Sequence, residues 1–218
     1  MIANLIVRPY KPSDYQGVRK ICCDSADMGK PVENFFYDRE VFADLLTRYY
    51  MDYEPQGLWV ALQDGEIIGY LMSCNDSRSY FNIMAWWILP KVIIRSLLRG
   101  VFFHRQPWII LRAILKSYLI GGFRRNISLD SYPAHLHVNV KNGFRGQHVG
   151  KNLAEAFFAQ ASNKGIKGVH LAVRQDNLSA CHFFEQLGFF VLGIYPIVMS
   201  EDNIFKMRDI VVYGKILQ

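Results

Sequence analysis

The chain has 218 residues, a formal net charge of +6 and an apolar share of 51%, enough for one domain with a large core, or one domain carrying an insertion. Its four cysteines, Cys22, Cys23, Cys74 and Cys181, form no C-x-x-C pair, and the N-terminal stretch has too short an apolar run for a secretory leader. Free thiols in a reducing, cytoplasmic setting are the expectation, with no metal site, no repeats and no low-complexity tail.

In chain order, Leu5-Ile6-Val7 predicts a first strand closed by Arg8-Pro9, and Ser13 or Asp14 can cap a helix running to about Ser25. Asp24 to Glu33, with Gly29 and Pro31, reads as a loop; helical spacing of Val41-Phe42, Leu45-Leu46 and Tyr49 predicts a second helix from about Asp38 to Tyr50. Gly57 to Leu62 and Ile67 to Ser73 flank an Asp64-Gly65 turn, the pattern of a β-hairpin.

Downstream, Leu136 to Val140 alternates β-branched and polar residues as a strand, Asn142-Gly143 is a turn dipeptide, and Val149, Leu153, Ala156 and Phe157 line one face of a helix stopped by Gly165. Between them lies Arg145-Gly146-Gln147-His148-Val149-Gly150. A glycine-bearing turn at a helix start offers unpaired N–H groups at the positive end of the helix dipole, a place for a phosphate, and Lys151 adds a mobile cation. Gly168 to Arg174 predicts the next strand, Leu178 to Leu187 a helix stopped by Gly188, and Phe189 to Ile194 and Ile210 to Ile216 a closing strand pair around a loop near Glu201-Asp202-Asn203. Strands that alternate with helices at one end and pair as hairpins at the other argue for a mixed α/β sheet with helices on its faces.

Two blocks in this half resemble the GNAT superfamily of N-acetyltransferases. The first is Val140 followed five residues later by Arg145, in the pattern (Arg/Gln)-x-x-Gly-x-(Gly/Ala); Gly150 matches the last position and His148 replaces the first glycine. The second is Asn177-x-x-Ala180, an aromatic, then Glu185-x-x-Gly188-Phe189, and the upstream order of strand, helix, helix and hairpin agrees. The resemblance implies one GNAT-type domain over 1–218, with acetyl-CoA as co-substrate in a cleft where the fourth and fifth strands splay apart. It further implies that main-chain groups of Val138, Asn139 and Val140 pair with the pantetheine arm and that the amides of Arg145, Gly146, Gln147, His148, Val149 and Gly150 hold the pyrophosphate. Lys151, Asn177 and position 184 would lie against the cofactor, and the first two helices would border the acceptor groove. The implied activity is direct attack on the thioester by a primary amine of an unidentified small-molecule or peptide acceptor. The family's usual acid is a tyrosine just before Glu185; here that residue is Phe184. Tyr195, His137 and His135 are then the foremost candidates for proton chemistry, with Tyr132 and His182 behind them. His135, His137 and Asn139 share one strand face opposite Leu136, Val138 and Val140; a plain pair of half-buried sheet histidines is the competing reading. Cys181 lacks an evident paired base and reads as a packed thiol. Loss of catalysis on a retained acyl-CoA cleft is the rival function.

Between about Ser73 and Leu129 the chain carries a helical insertion that a simple member of the family would not need. Over residues 77–129 there are nine Lys or Arg and no acid, so the rest of the chain is net negative. Lys91, Arg95 and Arg99 fall four apart as one stripe, Pro90 is expected to break the apolar run Met84 to Leu89, Pro107 to start a second helix, and Gly121-Gly122 to end it. No stretch is charge-free for the length of a bilayer. A packed helical hairpin with a solvated basic rim, or a homodimer contact, is the first expectation. A lid on the acceptor groove, and an interfacial membrane contact serving a membrane-surface acyltransferase, stand beside it. Nucleic acid is not expected as a partner, because the remainder is acidic and no reading motif appears.

Overall fold

The computed structural model describes residues 4–124, 126–201 and 204–217. Among them, β1 (Ile6–Pro9), β2 (Leu58–Gln63), β3 (Glu66–Cys74), β4 (Ala134–Val140), β5 (Gly168–Arg174), β6 (Phe190–Glu201) and β7 (Ile204–Ile216) form one sheet in the order β1-β2-β3-β4-β5-β7-β6. All neighbours are antiparallel except β4 and β5. The β2–β3 turn places Asp64 and Gly65 both at positive φ, the geometry that a two-residue hairpin requires.

Alternation along the strands builds two cores. Leu58, Val60, Tyr70 and Met72 pack under α1 (Tyr15–Asp24) and α2 (Arg39–Asp52); Ala61, Leu71, Leu136 and Leu171 pack under α6 (Val149–Asn163) and α7 (Leu178–Gln186). All four cysteines are free. Burial pushes the Cys22 thiol up to about 11 and those of Cys23 and Cys74 up to about 12, so these three are inert packing groups.

Several local expectations change. Asp14 stands at the start of α1, but its carboxylate accepts from the Lys11 N–H at 2.8 Å and pairs with Arg8 at 2.7 and 2.8 Å instead of capping the helix. Asp38 does cap α2, accepting from the Val41 N–H at 3.0 Å. The closing hairpin is longer than its sequence pattern: β6 and β7 pair from Phe190 with Gly214 out to Glu201 with Ile204. The expected turn at Asp202-Asn203 lies outside the described residues.

The insertion leaves β3 and returns to β4 as α3 (Ser77–Ile83), α4 (Leu89–Leu98) and α5 (Arg105–Leu119). Pro90 does not break the helix. The chain stays helical from Ser77 to Leu98 by widening over Met84–Ile88 into a π-type turn, where the Leu89 N–H reaches back to the Met84 carbonyl. The looser turn precedes a residue that has no N–H to donate. The result is a 22-residue helix long and apolar enough, by length and composition, to cross a membrane, although it is not free of charge.

The basic stripe is not a solvated rim either. Arg95 pairs with the buried Asp44, and Arg99 pairs with Asp38 at 2.6 Å. Asp44 also holds the buried Arg19 at 2.7 Å. At its other end, α5 lies on β6, where the Ser117 hydroxyl accepts from the Val198 N–H at 2.8 Å. Removing one member of a buried ion cluster leaves the others desolvated and uncompensated. Asp44→Ala is expected to lower stability by roughly 3 kcal/mol, read as a shift in the urea unfolding midpoint; a shift no larger than that of an exposed control such as Glu155→Ala would show that this cluster does not hold α2 and α4 together.

Candidate functional site

β4 and β5 pair only at Ala134 with Val169 and His135 with His170, and then part. The Lys141 N–H bonds to the Ile68 carbonyl on β3 at 2.8 Å. In an antiparallel ladder the main-chain direction alternates, so Asn139 and His137 also turn their main-chain groups to β3, while Leu136, Val138 and Val140 turn theirs into the gap. The Arg145 Nε donates to the Val140 carbonyl at 3.1 Å. Leu136 and Val138 therefore present the main-chain groups that face the opening. Asn139 instead uses its side chain, whose amide donates to the Tyr70 hydroxyl at 2.7 Å.

The gap opens into a cleft of about 1680 Å³ that passes through the sheet. On one face it is walled by the start of α6 and by α7. On the other stand the α1–α2 loop, with Met28, Gly29 and Phe35, and the insertion helix α5, with Ile109, Ala113 and Ile114. Val198 and Met199 of β6 and Arg208 of β7 complete it. These second-face residues escaped the sequence pattern. Only the assembled fold brings α5, nearly fifty positions after the hairpin begins, against the loop after α1.

At the mouth, Asn152 is the first residue of α6 whose N–H returns to the chain, to the His148 carbonyl at 3.0 Å. The amides from Gly146 to Lys151 have no main-chain partner among the described residues, and they sit at the positive end of a 15-residue helix. Gly146 and His148 both take positive φ, 74° and 64°. This explains the glycine in the family pattern at position 148: a histidine tolerates that backbone only with strain. Gly150 is needed for closeness; a Cβ there would stand 3.1 Å from the Phe183 ring. Arg145, whose amide is expected at the phosphate, lines the cleft but spends its side chain on the main chain. Its guanidinium donates to the Met28 carbonyl at 3.4 Å as well as to Val140, tying the turn to the α1–α2 loop. Asn142 supports the same tie through the Gly29 carbonyl at 2.6 Å. The Gln147 side chain is exposed, donates to Gly143 at 2.7 Å and does not line the cleft. Lys151 lines it and has only a loose pair with Glu155 at 3.8 Å. Asn177 caps α7, accepting from the Ala180 N–H at 3.3 Å, and lines the cleft beside Phe184.

The face alternation on β4 is as expected: Leu136, Val138 and Val140 join the α6 core, and His135 and His137 stand on the α1–α2 side near Tyr50. The two histidines differ in kind. His135 is buried, with its Nδ1 and Nε2 each 2.8 Å from a hydroxyl, Ser77 and Tyr50 respectively. Ser77 donates its proton to the Pro133 carbonyl at 2.8 Å, so His135 Nδ1–H must donate to Ser77, and Nε2 accepts from Tyr50. Neutral imidazole satisfies that chain, and burial pushes its pKa well down. His137 lies past the parting point. Its ring opens into the cleft, and its nitrogens have no hydrogen-bond partner among the described residues. Protein crowding around the cleft floor, then nearby His170, lowers it to about 4, although the ring itself touches solvent.

The remaining candidates stand apart from the cleft. The Tyr195 hydroxyl accepts from the Asn126 N–H at 3.2 Å and is not on the cleft wall. Tyr132 is also outside it, packed on Phe190 with its carbonyl 2.9 Å from His170 Nδ1. His182 reaches the cleft but its Nε2 meets the Gln186 amide at 2.9 Å. Cys181 does not line the cleft. Position 184 offers a buried phenyl ring packed on Phe183 and Phe189. No cluster of His, Cys, Asp or Glu able to hold a metal occurs among the described residues.

Two histidines held neutral have a consequence for stability. Unfolded, each binds a proton near its ordinary value of 6.5; folded, it does not until the pH is much lower. The unfolded state therefore takes up more protons, and the stabilisation present above about pH 6.5 is lost as pH falls toward about 4. Urea midpoints across this window should fall with pH, and His135→Gln should flatten the dependence, although its own midpoint is lower at neutral pH; an unchanged slope would place the titration elsewhere.

Residues 103–189 match the model of the acetyltransferase (GNAT) family. The whole chain is also similar to solved structures. A protein named SsHAT shares 24% identity over 99% of this chain and 100% of its own, with a TM-score of 0.73. An N-acetyltransferase from Staphylococcus aureus Mu50 shares 13% over 99% and 100%, with a TM-score of 0.61. YncA from Salmonella typhimurium, a putative acetyltransferase in complex with its cofactor acetyl-CoA, shares 15% over 99% and 95%, also with a TM-score of 0.61. At these identities the likeness speaks for the fold: the chain has the mixed seven-stranded sheet of these acetyltransferase structures, and its segment 103–189 is similar to the GNAT family model.

Proposed function

We propose that the protein transfers an acetyl group from acetyl-CoA to a primary amine. The observation that carries this reading is the parting of β4 from β5 directly beside the open amides of α6. An extended chain bearing amides can add itself to the bared edge of β4, through Leu136 and Val138. A diphosphate fits the N–H groups between Gly146 and Lys151, which carry the helix dipole and stand beside the Lys151 ammonium. Those are the two chemically distinct parts of a coenzyme A arm, and they meet here in that order along one cleft. Acetyl-CoA supplies a thioester carbon open to attack.

The acceptor enters on the other face. His137 projects to that side, neutral over the physiological range and with free nitrogens. An amine becomes strongly acidic only as its new bond forms, so a weak base in position is sufficient to take the proton then. A main-chain N–H on the bared β4 edge is placed to stabilise the developing oxyanion. The chain has no hydroxyl at position 184, and the leaving thiol needs little help: a thiol of cysteine-like acidity, near 8.5, departs as thiolate far more readily than an amine. His135 is a positioning residue, holding β4 and the start of α3 through Ser77. Phe35, Ile109, Ile110, Ile114 and Met199 give the acceptor end an apolar lining, which suits a small or peptide amine with an apolar body. The free thiols fit a cytoplasmic setting.

A thiol-release assay over a panel of small and peptide amines tests the reading. Turnover is expected with at least one apolar amine, and His137→Ala should lower kcat by about 100-fold with cofactor affinity unchanged. Tight acetyl-CoA binding with no turnover on any acceptor would favour instead a binding protein that kept the cleft and lost the chemistry, a reading that Phe184 motivates. Calorimetry with acetyl-CoA, free CoA and ATP locates the cofactor. Gly150→Trp should weaken both CoA species about tenfold or more, with an unaltered melting temperature as the folding control; equal affinity for wild type and variant would mean that the phosphate turn lies elsewhere.

A further inference from the structure

The insertion helices use very little of their surface to hold the domain. On the Ser77–Leu98 helix the inward stripe is Ile88, Val92 and Ser96, and on α5 it is Ile109, Ala113 and Ser117, each set spaced four apart. Much of the remaining surface of the insertion faces outward, and most of its large side chains are apolar. Trp86 is 76% exposed, Leu98 83% and Phe103 94%, with Trp87, Ile94 and Leu119 beside them. Three of the chain's four tryptophans lie here, in Trp86, Trp87 and Trp108, and all three are exposed. Continuous apolar surface on this scale marks a docking face.

Charge selects what docks. The segment contains no carboxylate, and Lys91, Arg105 and Arg112 have no ion-pair partner among the described residues. A second copy meeting this patch across a two-fold axis would set basic side chains against basic side chains over a surface with nothing to neutralise them. A negatively charged lipid surface answers every part of the pattern: apolar groups enter the acyl boundary, tryptophans sit at the headgroup level, and lysine and arginine meet lipid phosphates.

The ion pairs decide the orientation. The Ser77–Leu98 helix is long enough to span, but spanning would pull Arg95 from the buried Asp44 and Arg99 from the buried Asp38. Those contacts keep the helix lying along the domain, with its exposed side outward. We propose that the outer face of the insertion helices seats the protein flat on an anionic lipid bilayer. This rests on the exposed face alone and does not depend on acetyl transfer.

Sedimentation with phosphatidylglycerol–phosphatidylcholine vesicles, against pure phosphatidylcholine, tests it. Wild type should co-sediment with the anionic vesicles at low salt and be released as salt is raised, with a blue shift of tryptophan emission on binding. Trp86→Ser, Leu98→Ser and Phe103→Ser combined should weaken binding roughly tenfold or more; Lys91→Glu with Arg112→Glu should abolish the preference for anionic lipid. Unchanged melting and acetyl-CoA binding are the controls for folding. The seat is overturned if wild type ignores anionic vesicles at low salt. It is overturned equally if the apolar variant only turns a dimer into a monomer in analytical ultracentrifugation, because the face would then join two copies. Retention in the membrane after alkaline extraction would overturn the flat orientation in favour of a span.

Discussion

The structure depends on two parallel strands that pair for two residues and then separate. A sheet interior ordinarily satisfies every main-chain group, and leaving several bare in the middle of seven strands is costly unless something else meets them. Here the exposed stretch of β4 is propped rather than closed. Arg145 takes the Val140 carbonyl and crosses to the α1–α2 loop, Asn142 reaches the same loop, and Gly150 lets the start of α6 approach Phe183. Past the ladder, the Leu136 carbonyl and the main-chain groups of Val138 face the opening. One defect in the ladder thus shapes both the sheet and the cleft, and Arg145, which stands at the motif position, uses its side chain to hold that defect open.

The insertion is fixed to this arrangement by charge at one end and by hydrogen bonds at the other. Ser77 begins it by bonding both Pro133 and His135, so the segment is clamped at the foot of β4. Arg95 and Arg99 then join it to buried carboxylates of α2, and Ser117 joins α5 to β6. A loop added between two strands of a finished sheet has become a wall of the cleft, because the inner stripe of α5 lines its second face, while its outer side chains are left without protein to cover them.

Much of this was legible in the chain. The Asp64-Gly65 hairpin, the amphipathic α6 and the Asn177-to-Phe189 block depend on local patterns that the fold does not override, and they give the sheet its GNAT order. What escaped was set by distant partners. Pro90 forbids a regular helix, but a single wider turn absorbs it, and nothing in the residues around it announces that choice. The outer halves of β6 and β7 carry no clean alternation, because they extend past both cores and their side chains are half-buried on either side, so the hairpin looked shorter than it is. The Lys91-Arg95-Arg99 stripe had the spacing of a solvent-facing row; two of its members face α2 because Asp38 and Asp44 stand there, far away in sequence. Arg145 matched a motif position while its guanidinium serves the main chain.

His135 and His137 make the limit of sequence reading concrete. They lie on one strand, on one face, two residues apart, and no local pattern separates them. The last paired residue of β4 is His135, opposite His170, and beyond it β5 is gone. Before that point a side chain is enclosed by the sheet and by the tyrosines of α2, and it must satisfy both nitrogens within the protein. After it, a side chain projects into an open cleft and keeps its nitrogens for whatever enters. One step along the ladder therefore divides an enclosed histidine from one that faces the cleft, and the division follows from where two strands part rather than from either residue's neighbours in the chain.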